Sequence, residues 1–518
     1  MTMIKSLILG SAAGLIAIGG AQAADLPVKA KAVEYVKVCS LYGAGFYYIP
    51  GTDTCIKIGG AIRIDTAFNG NVYDNPFWQG GTGSADLYTK DYFVGRARAN
   101  ATLDTRTATE YGVVRTYSNI QFDWSQNRES IAGGFVEVDY AFIQIAGFTF
   151  GKAVSQFDPQ WALAKPTISS GFLAGSNNAT GLEQLAYTAS FGNGVSGTIS
   201  VENPNPYRNA GLYNTSGFIV APGQSSFLGN GYGGAGTGFN TFLGNSSTGA
   251  HMPDIIGNLR LDQAWGTLHF AAAVHQAVPN FYVNEASGHP DDNYGFAVSG
   301  AVEFKNLPTG TGDSVKLEGA YAQGAAKYIF GGTVDVNGGG RFQKFEGNSL
   351  GFGYVLDGVY SGVPGSQIQQ STAWEFSGFF EHYWNPAWRT SLFGNYSHIE
   401  YGSGGNALLA AAFGPAGGRL GLNANGNTGA TAGTLLLAPG SNFDLNLYQI
   451  GTRTAWTPVQ NLTLSAEFIY SRIDQNLQGF YVGPGGVGGA AVGGKPAQVY
   501  GLRDQNLYNG AVQILRSF

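Results

Sequence analysis

What most constrains this chain is a two-residue rhythm that restarts many times along its length. Segments of about ten residues alternate apolar and polar side chains, and clusters of Gly, Pro, Asn and Asp separate them. Ile56, Ile58, Ile62 and Ile64 alternate with Lys57, Gly59, Ala61, Arg63 and Asp65. Phe93, Ala97, Ala99, Ala101 and Leu103 alternate with Arg96, Arg98, Asn100, Thr102 and Asp104. Leu268, Phe270, Ala272 and Val274 are interleaved with His269, Ala271, Ala273 and His275. Side chains alternate faces along a strand, so each segment carries one greasy and one polar face. A soluble sandwich shares that pattern, and the connections separate the two folds.

Strands are expected near 56–68, 90–105, 109–122, 134–145, 147–153, 183–191, 195–202, 253–263, 266–276, 293–305, 313–323, 372–383, 387–401, 442–456, 461–474 and 507–518. That makes about sixteen, an even number within the range of single-chain membrane barrels. Thr105–Thr109, Gly192–Gly194, Ala264–Trp265, Trp384–Pro386 and Thr457–Gln460 read as tight turns. Residues 69–89, 154–182, 203–252, 324–371, 402–441 and 475–506 are long and rich in Gly, Asn and Ser. Short turns at one end and long loops at the other fit an all-β, transmembrane antiparallel β-barrel with periplasmic turns and extracellular loops. One slip of parity, Gln144 against Glu137, points to a bulge or a misplaced end in that strand.

Composition agrees. Charged residues are 12% of the chain, about half the ~25% of soluble domains, while 80 Gly, 28 Tyr and 33 Phe are far more than a packed aqueous core uses. With 28 Lys+Arg against 34 Asp+Glu, nucleic acid is a poor partner. At the N-terminus Lys5, the apolar run Leu7–Gly20 and Ala21-Gln22-Ala23 form a signal peptide over 1–23, giving a mature start at Ala24. Its removal leaves 27 basic against 34 acidic residues, a net charge of −7. No later apolar run is long enough for a helical span.

Cys39 and Cys55 are the only thiols. In an oxidising compartment an isolated even pair reads as a disulfide, stapling the 24–55 segment to the periplasmic edge of a barrel over 56–518; two reduced, buried cysteines are the alternative. No zinc ligand set, metalloprotease helix or nucleophile elbow is present, so neither an enzyme nor a cofactor is expected. Gly229–Gly234 and Gly489–Lys495 fit phosphate-loop patterns only by chance, Pro496 standing where a hydroxyl is needed. Asp335, Asn337, Gly340 and Glu346 match four calcium-loop spacings without flanking helices.

The last strand, with Tyr508, Val512, Ile514 and Phe518 on one face, resembles the C-terminal signal read by the outer-membrane insertion machinery. The stretch Val36–Gly60, two Cys around Tyr42-Gly43 and Tyr48-Ile49-Pro50-Gly51-Thr52, resembles the N-terminal signature of the alphaproteobacterial, rhizobial-type trimeric porins. The resemblance implies a homotrimer among outer-membrane lipids and lipopolysaccharide, with the third long loop, about 155–182, folded into the lumen. That loop carries Asp158 and Lys165, with Phe157, Trp161 and Phe172 as wall anchors. Arg63, Arg96, Arg98 and Arg115 face it at inward parity, so a transverse field is expected at the constriction. Asp65, Asp104, Glu137 and Asp139 share that parity, and neutralising ion pairs are the alternative. In related porins the second loop latches over a neighbouring subunit, which here implies an inter-subunit ion pair by Arg128 or Glu129. The expected function is a passive, water-filled channel for small hydrophilic solutes and ions, with mild cation preference from the net charge. The alternatives are an adhesin working through its long loops and a substrate-selective sugar channel, which a continuous aromatic track in the lumen would favour.

Overall fold

The computed structural model describes residues 37–70, 92–125, 134–168, 175–176, 180–204, 210–215, 246–330, 340–413, 435–482 and 498–518. The signal peptide, Phe172, Arg128, Glu129, Asp335, Asn337 and both phosphate-loop matches lie outside them. Sixteen strands form one closed antiparallel ring: β1 (Thr54–Phe68), β2 (Phe93–Thr109), β3 (Gly112–Ser125), β4 (Gly134–Ile145), β5 (Phe148–Ala153), β6 (Leu182–Gly192), β7 (Val195–Glu202) and β8 (Asp254–Gln263) make one half. The other half is β9 (Gly266–Ala277), β10 (Asn293–Lys305), β11 (Ser314–Gln323), β12 (Thr372–Asn385), β13 (Trp388–Glu400), β14 (Leu445–Val459), β15 (Leu462–Gln475) and β16 (Gln505–Ser517). Each strand pairs with the next, and β16 returns to β1 from Ala61↔Ser517 to Phe68↔Gly510. Closure matters in lipid, because an unpaired edge would leave backbone N–H and C=O groups without water.

The alternation sets the two faces. Ile58, Ile62, Ile64, Phe122, Val136, Phe270, Phe376, Ile450 and Phe468 are exposed on the outside, whereas Asp65, Arg96, Gln121, Asp123 and Glu467 are buried on the opposite parity. Short turns join β2–β3, β4–β5, β6–β7, β8–β9, β12–β13 and β14–β15 at one end. Ala146-Gly147 and Asn193-Gly194 turn with positive φ at both residues, as two-residue hairpins require. One expected turn moves: Thr105–Thr109 continues β2, and the chain turns at Glu110-Tyr111 instead. Its threonines suit strand better than turn, and Thr107 meets Thr54 across the pair at 2.8 Å. The expected bulge lies in β4, where Asn119 pairs with Tyr140 but Ile120 with Val138, leaving Asp139 as the extra residue.

The long connections do more than link strands. Gly211–Asn214, Gly340–Glu346, Ser349–Tyr360, Gln369–Gln370, Leu435–Leu437, Gly479–Val482 and Val499–Leu502 assemble a second, seven-stranded sheet from four different loops. Ser349–Tyr360 is its spine, buried along both faces. Phe342, Phe345, Leu350, Tyr354, Val355 and Tyr500 of this sheet share one core with Ile256, Ala271, Ala273, Ala297, Ala322, Leu447 and Ile473 of the barrel. Those wall residues sit on inward-facing parity, so the sheet lies inside the ring against β8–β15. Helix α1 (Lys327–Phe330) anchors it: Lys327 Nζ and Tyr328 Oη reach Asp254 Oδ2 at 2.7 and 2.6 Å, and Ala326 N–H donates to Asp357 at 2.7 Å. Helix α2 (Gly402–Phe413) contributes Leu409 and Ala412 to the same core.

Cys39 and Cys55 are bonded, with Cα atoms 6.1 Å apart. The bridge folds Ser40–Tyr48 back beside β1, Tyr47 pairing with Ile56.

Candidate pore and its constriction

The connection between β5 and β6 threads the lumen. Ser155 Oγ and the Gln156 N–H donate to Glu202 on β7 at 2.7 and 2.8 Å. Asn258 on β8 donates to the Gln156 carbonyl at 2.7 Å, and Ser299 on β10 to that of Phe157 at 3.3 Å. Phe157 is fully buried against Tyr328, 4.5 Å between ring centroids, and Trp161 packs edge-on to Phe379 of β12. The far end meets β14, β15 and β1: Arg453 donates to the Thr167 carbonyl, the Ile168 N–H to Glu467, and Arg63 to the Ile168 carbonyl at 3.0 Å. The chain then returns to β4, where Thr180 Oγ1 and the Gly181 N–H donate to the Asp139 carbonyl. One loop can touch strands all round a closed ring only from inside it.

Facing this loop, the inward side of β1–β4 is a ladder of paired charges and amides. Arg63 Nε and Arg96 Nη2 share Asp65 at 2.8 and 2.6 Å, with Gln513 donating to the same carboxylate. Arg98 grips Asp123 through two bonds, 2.6 and 2.8 Å. Asn119 and Gln121 donate to Asp139, and Gln121 also to Glu137. Bidentate guanidinium–carboxylate pairs of this kind fix both side chains in register.

The sequence-derived site therefore divides into three parts. Arg63, Arg96 and Arg98 come together opposite the loop, each held by a carboxylate, which is the neutralised arrangement rather than a bare arginine row. Arg115 bonds Asp104 and Gln144, and Asp104 lies six residues along β2 from Arg98, about 20 Å toward the turn end. Asp158 faces the wall: Ser176 donates to it through N–H and Oγ at 2.8 and 2.6 Å, and burial pushes its carboxyl up despite those bonds. Lys165 lies over the ring of Phe379 at 5.9 Å. Arg453, Glu467, Glu202 and Asn258, which seat the loop, were not singled out from the sequence. Their signal was available, since all four hold inward parity, but it required carrying the parity argument to strands distant from the loop in sequence.

A closed sixteen-stranded ring, apolar outside, polar inside and crossed by one of its own loops, defines a β-barrel membrane channel. The chain belongs to the porin subfamily, whose family model matches residues 25–511. It is similar to the porin Omp2b of Brucella neotomae, 28% identical over 356 residues that span 66% of this chain and 82% of that protein. The porin Omp2b of Brucella melitensis is 28% identical over 338 residues, 58% of this chain and 81% of that protein. Among solved structures, the outer membrane channel DcaP of Acinetobacter baumannii aligns over 91% of this chain and 99% of that one, with a TM-score of 0.54 and 14% identity, and speaks for the fold alone. The protein is an outer-membrane porin, and this membership points to a channel rather than an enzyme.

Proposed function

We propose that this porin works as a homotrimer of passive, water-filled pores in which small hydrophilic solutes and ions pass between the lumenal loop and the β1–β4 ladder. The observation that supports this reading is the loop crossing the ring from β5 to β15 and β1 while the ladder opposite stays polar from Asp65 to Asp139. Because the ladder's arginines already hold carboxylates, fixed charge at the narrow section is close to balanced, and discrimination between cations and anions is weak. Size exclusion then does most of the sorting, with no cofactor and no energy source.

The trimer packs the low-charge outer faces of the first strands about a three-fold axis. Arg128 or Glu129 latches a neighbouring subunit, lipopolysaccharide and lipid surround the apolar band, and Phe518 presents the insertion signal. Reversing the charge of either latch residue is expected to lower the melting temperature of the trimer in detergent. Single-channel recording of the purified oligomer in a planar bilayer tests the whole reading. Large steps closing in three equal parts, with a reversal potential near zero in a salt gradient, are expected. A folded, heat-modifiable barrel without conductance overturns it and moves the function to the loops.

A further inference from the structure

Below the ladder, toward the turn end, the lumenal face changes character. Asp104 is shared by Arg106 and Arg115, each 3.0 Å from Oδ2. Lys57 stands directly across the strand pair from Asp104 and is exposed. This patch thus holds three cations around one carboxylate, in contrast with the balanced ladder above it. The cations are interleaved with rings. Arg106 lies over Phe46 and Tyr42 at 4.8 and 5.7 Å, both rings belonging to the segment that the disulfide folds back. Arg115 lies over Tyr117 and Phe142 at 5.2 and 5.5 Å, and Tyr140 continues the cluster 6.3 Å from Tyr117. Tyr117, Tyr140 and Phe142 are half-buried, so part of each ring stays within reach of the lumen. Among the described residues, Arg106 Nη1 and the Lys57 ammonium hold no hydrogen-bond partner, while 29% and 30% of the Arg106 and Arg115 side chains are exposed.

We infer that this patch is a subsite for small organic anions with a flat apolar body, aromatic carboxylates being the simplest class. The carboxylate takes the free guanidinium N–H groups and the lysine, and the ring lies against Tyr117 and Phe142. An inorganic anion would leave the rings idle. A neutral sugar would leave the excess positive charge unanswered. The inference rests on the pore reading and deepens it: solutes that cross the ladder meet a retention site before they leave.

The test uses the native oligomer in a planar bilayer, with potassium benzoate replacing potassium acetate at equal ionic strength on each side in turn. Benzoate is expected to produce resolved interruptions of the current, half-saturating at a concentration about tenfold below that of acetate, the factor that corresponds to about 1.4 kcal/mol. Y117L and R115Q should each bring the two anions within about twofold of one another, equivalent to about 0.4 kcal/mol. Heat modifiability reports folding, and F142L replaces any variant that fails to fold. Equal behaviour of benzoate and acetate in a wild-type channel that still conducts potassium chloride overturns the subsite and leaves the pore standing; the rings then only fasten the disulfide-closed segment to the wall. Interruptions by glucose as strong as those by benzoate overturn the anionic class. A folded oligomer that conducts neither salt overturns the pore and the subsite together.

Discussion

Asp65 carries more of the constriction than any of the arginines named around it. It receives Arg63, Arg96 and Gln513 at once, and both it and Arg96 are 4% exposed. Removing one partner of such a set leaves the others charged and unpaired, at a cost of about 3–5 kcal/mol. Asp65→Asn is therefore expected to lower the unfolding temperature of the oligomer and to shift the reversal potential toward anions; thermal unfolding in detergent and a salt-gradient recording check both. Asp158→Asn should behave differently. Burial already disfavours the charge on Asp158, and an amide oxygen still accepts from Ser176, so thermal stability is expected to stay level or rise. A clear fall in the melting temperature of that variant would show the charge itself to be required. At this scale the sequence was only partly legible. Parity placed Arg63, Arg96 and Arg98 on the inner face, but whether each faced water or Asp65 and Asp123 depends on strand register, which the alternation of one segment alone does not encode.

Among the elements, strands were far easier to read than loops, and the reason is physical. A strand between lipid and water must alternate, so β1 and β2 announce themselves through Ile56–Ile64 and Phe93–Leu103. The loop-built sheet has no such boundary on either side, and Ser349–Tyr360 is buried on both faces, so its residues alternate with nothing. A signal did exist on the barrel side. Ala271, Ala273 and Ala297 are apolar on the face that should be wet, which is what a wall covered by another element requires. Asp357 ties that sheet to the ring by accepting from the Ala326 and standing 3.5 Å from His275 Nε2. Asp357→Ala is expected to loosen the sheet without opening the barrel. Limited proteolysis should then cut between residues 324 and 371 several times faster while heat modifiability persists; unchanged cleavage would mean that the apolar core alone holds the sheet.

Over the whole molecule, the ring is sealed where its two ends meet. Phe518 and Gly60 exchange backbone hydrogen bonds of 3.0 and 3.1 Å beyond the last pair of β16 and β1. A side chain at Gly60 would meet the Phe518 ring at 2.9 Å and the Asn100 carbonyl oxygen more closely still. Gly60→Val is expected to leave the strands intact but to impair closure, seen as loss of the heat-modifiable band after refolding. The terminal aromatic residue thus also completes the hydrogen bonding of the first strand.

The loop-built sheet and the lumenal loop occupy different heights of the same conduit. In circuit terms they are two resistors in series, one against β8–β15 in the outer half and one across the middle. Trimming either alone leaves the other to limit the current, so a loop-deletion series should show a gain of about twofold from each single deletion, if the two resistances are similar, and a disproportionate gain from the pair.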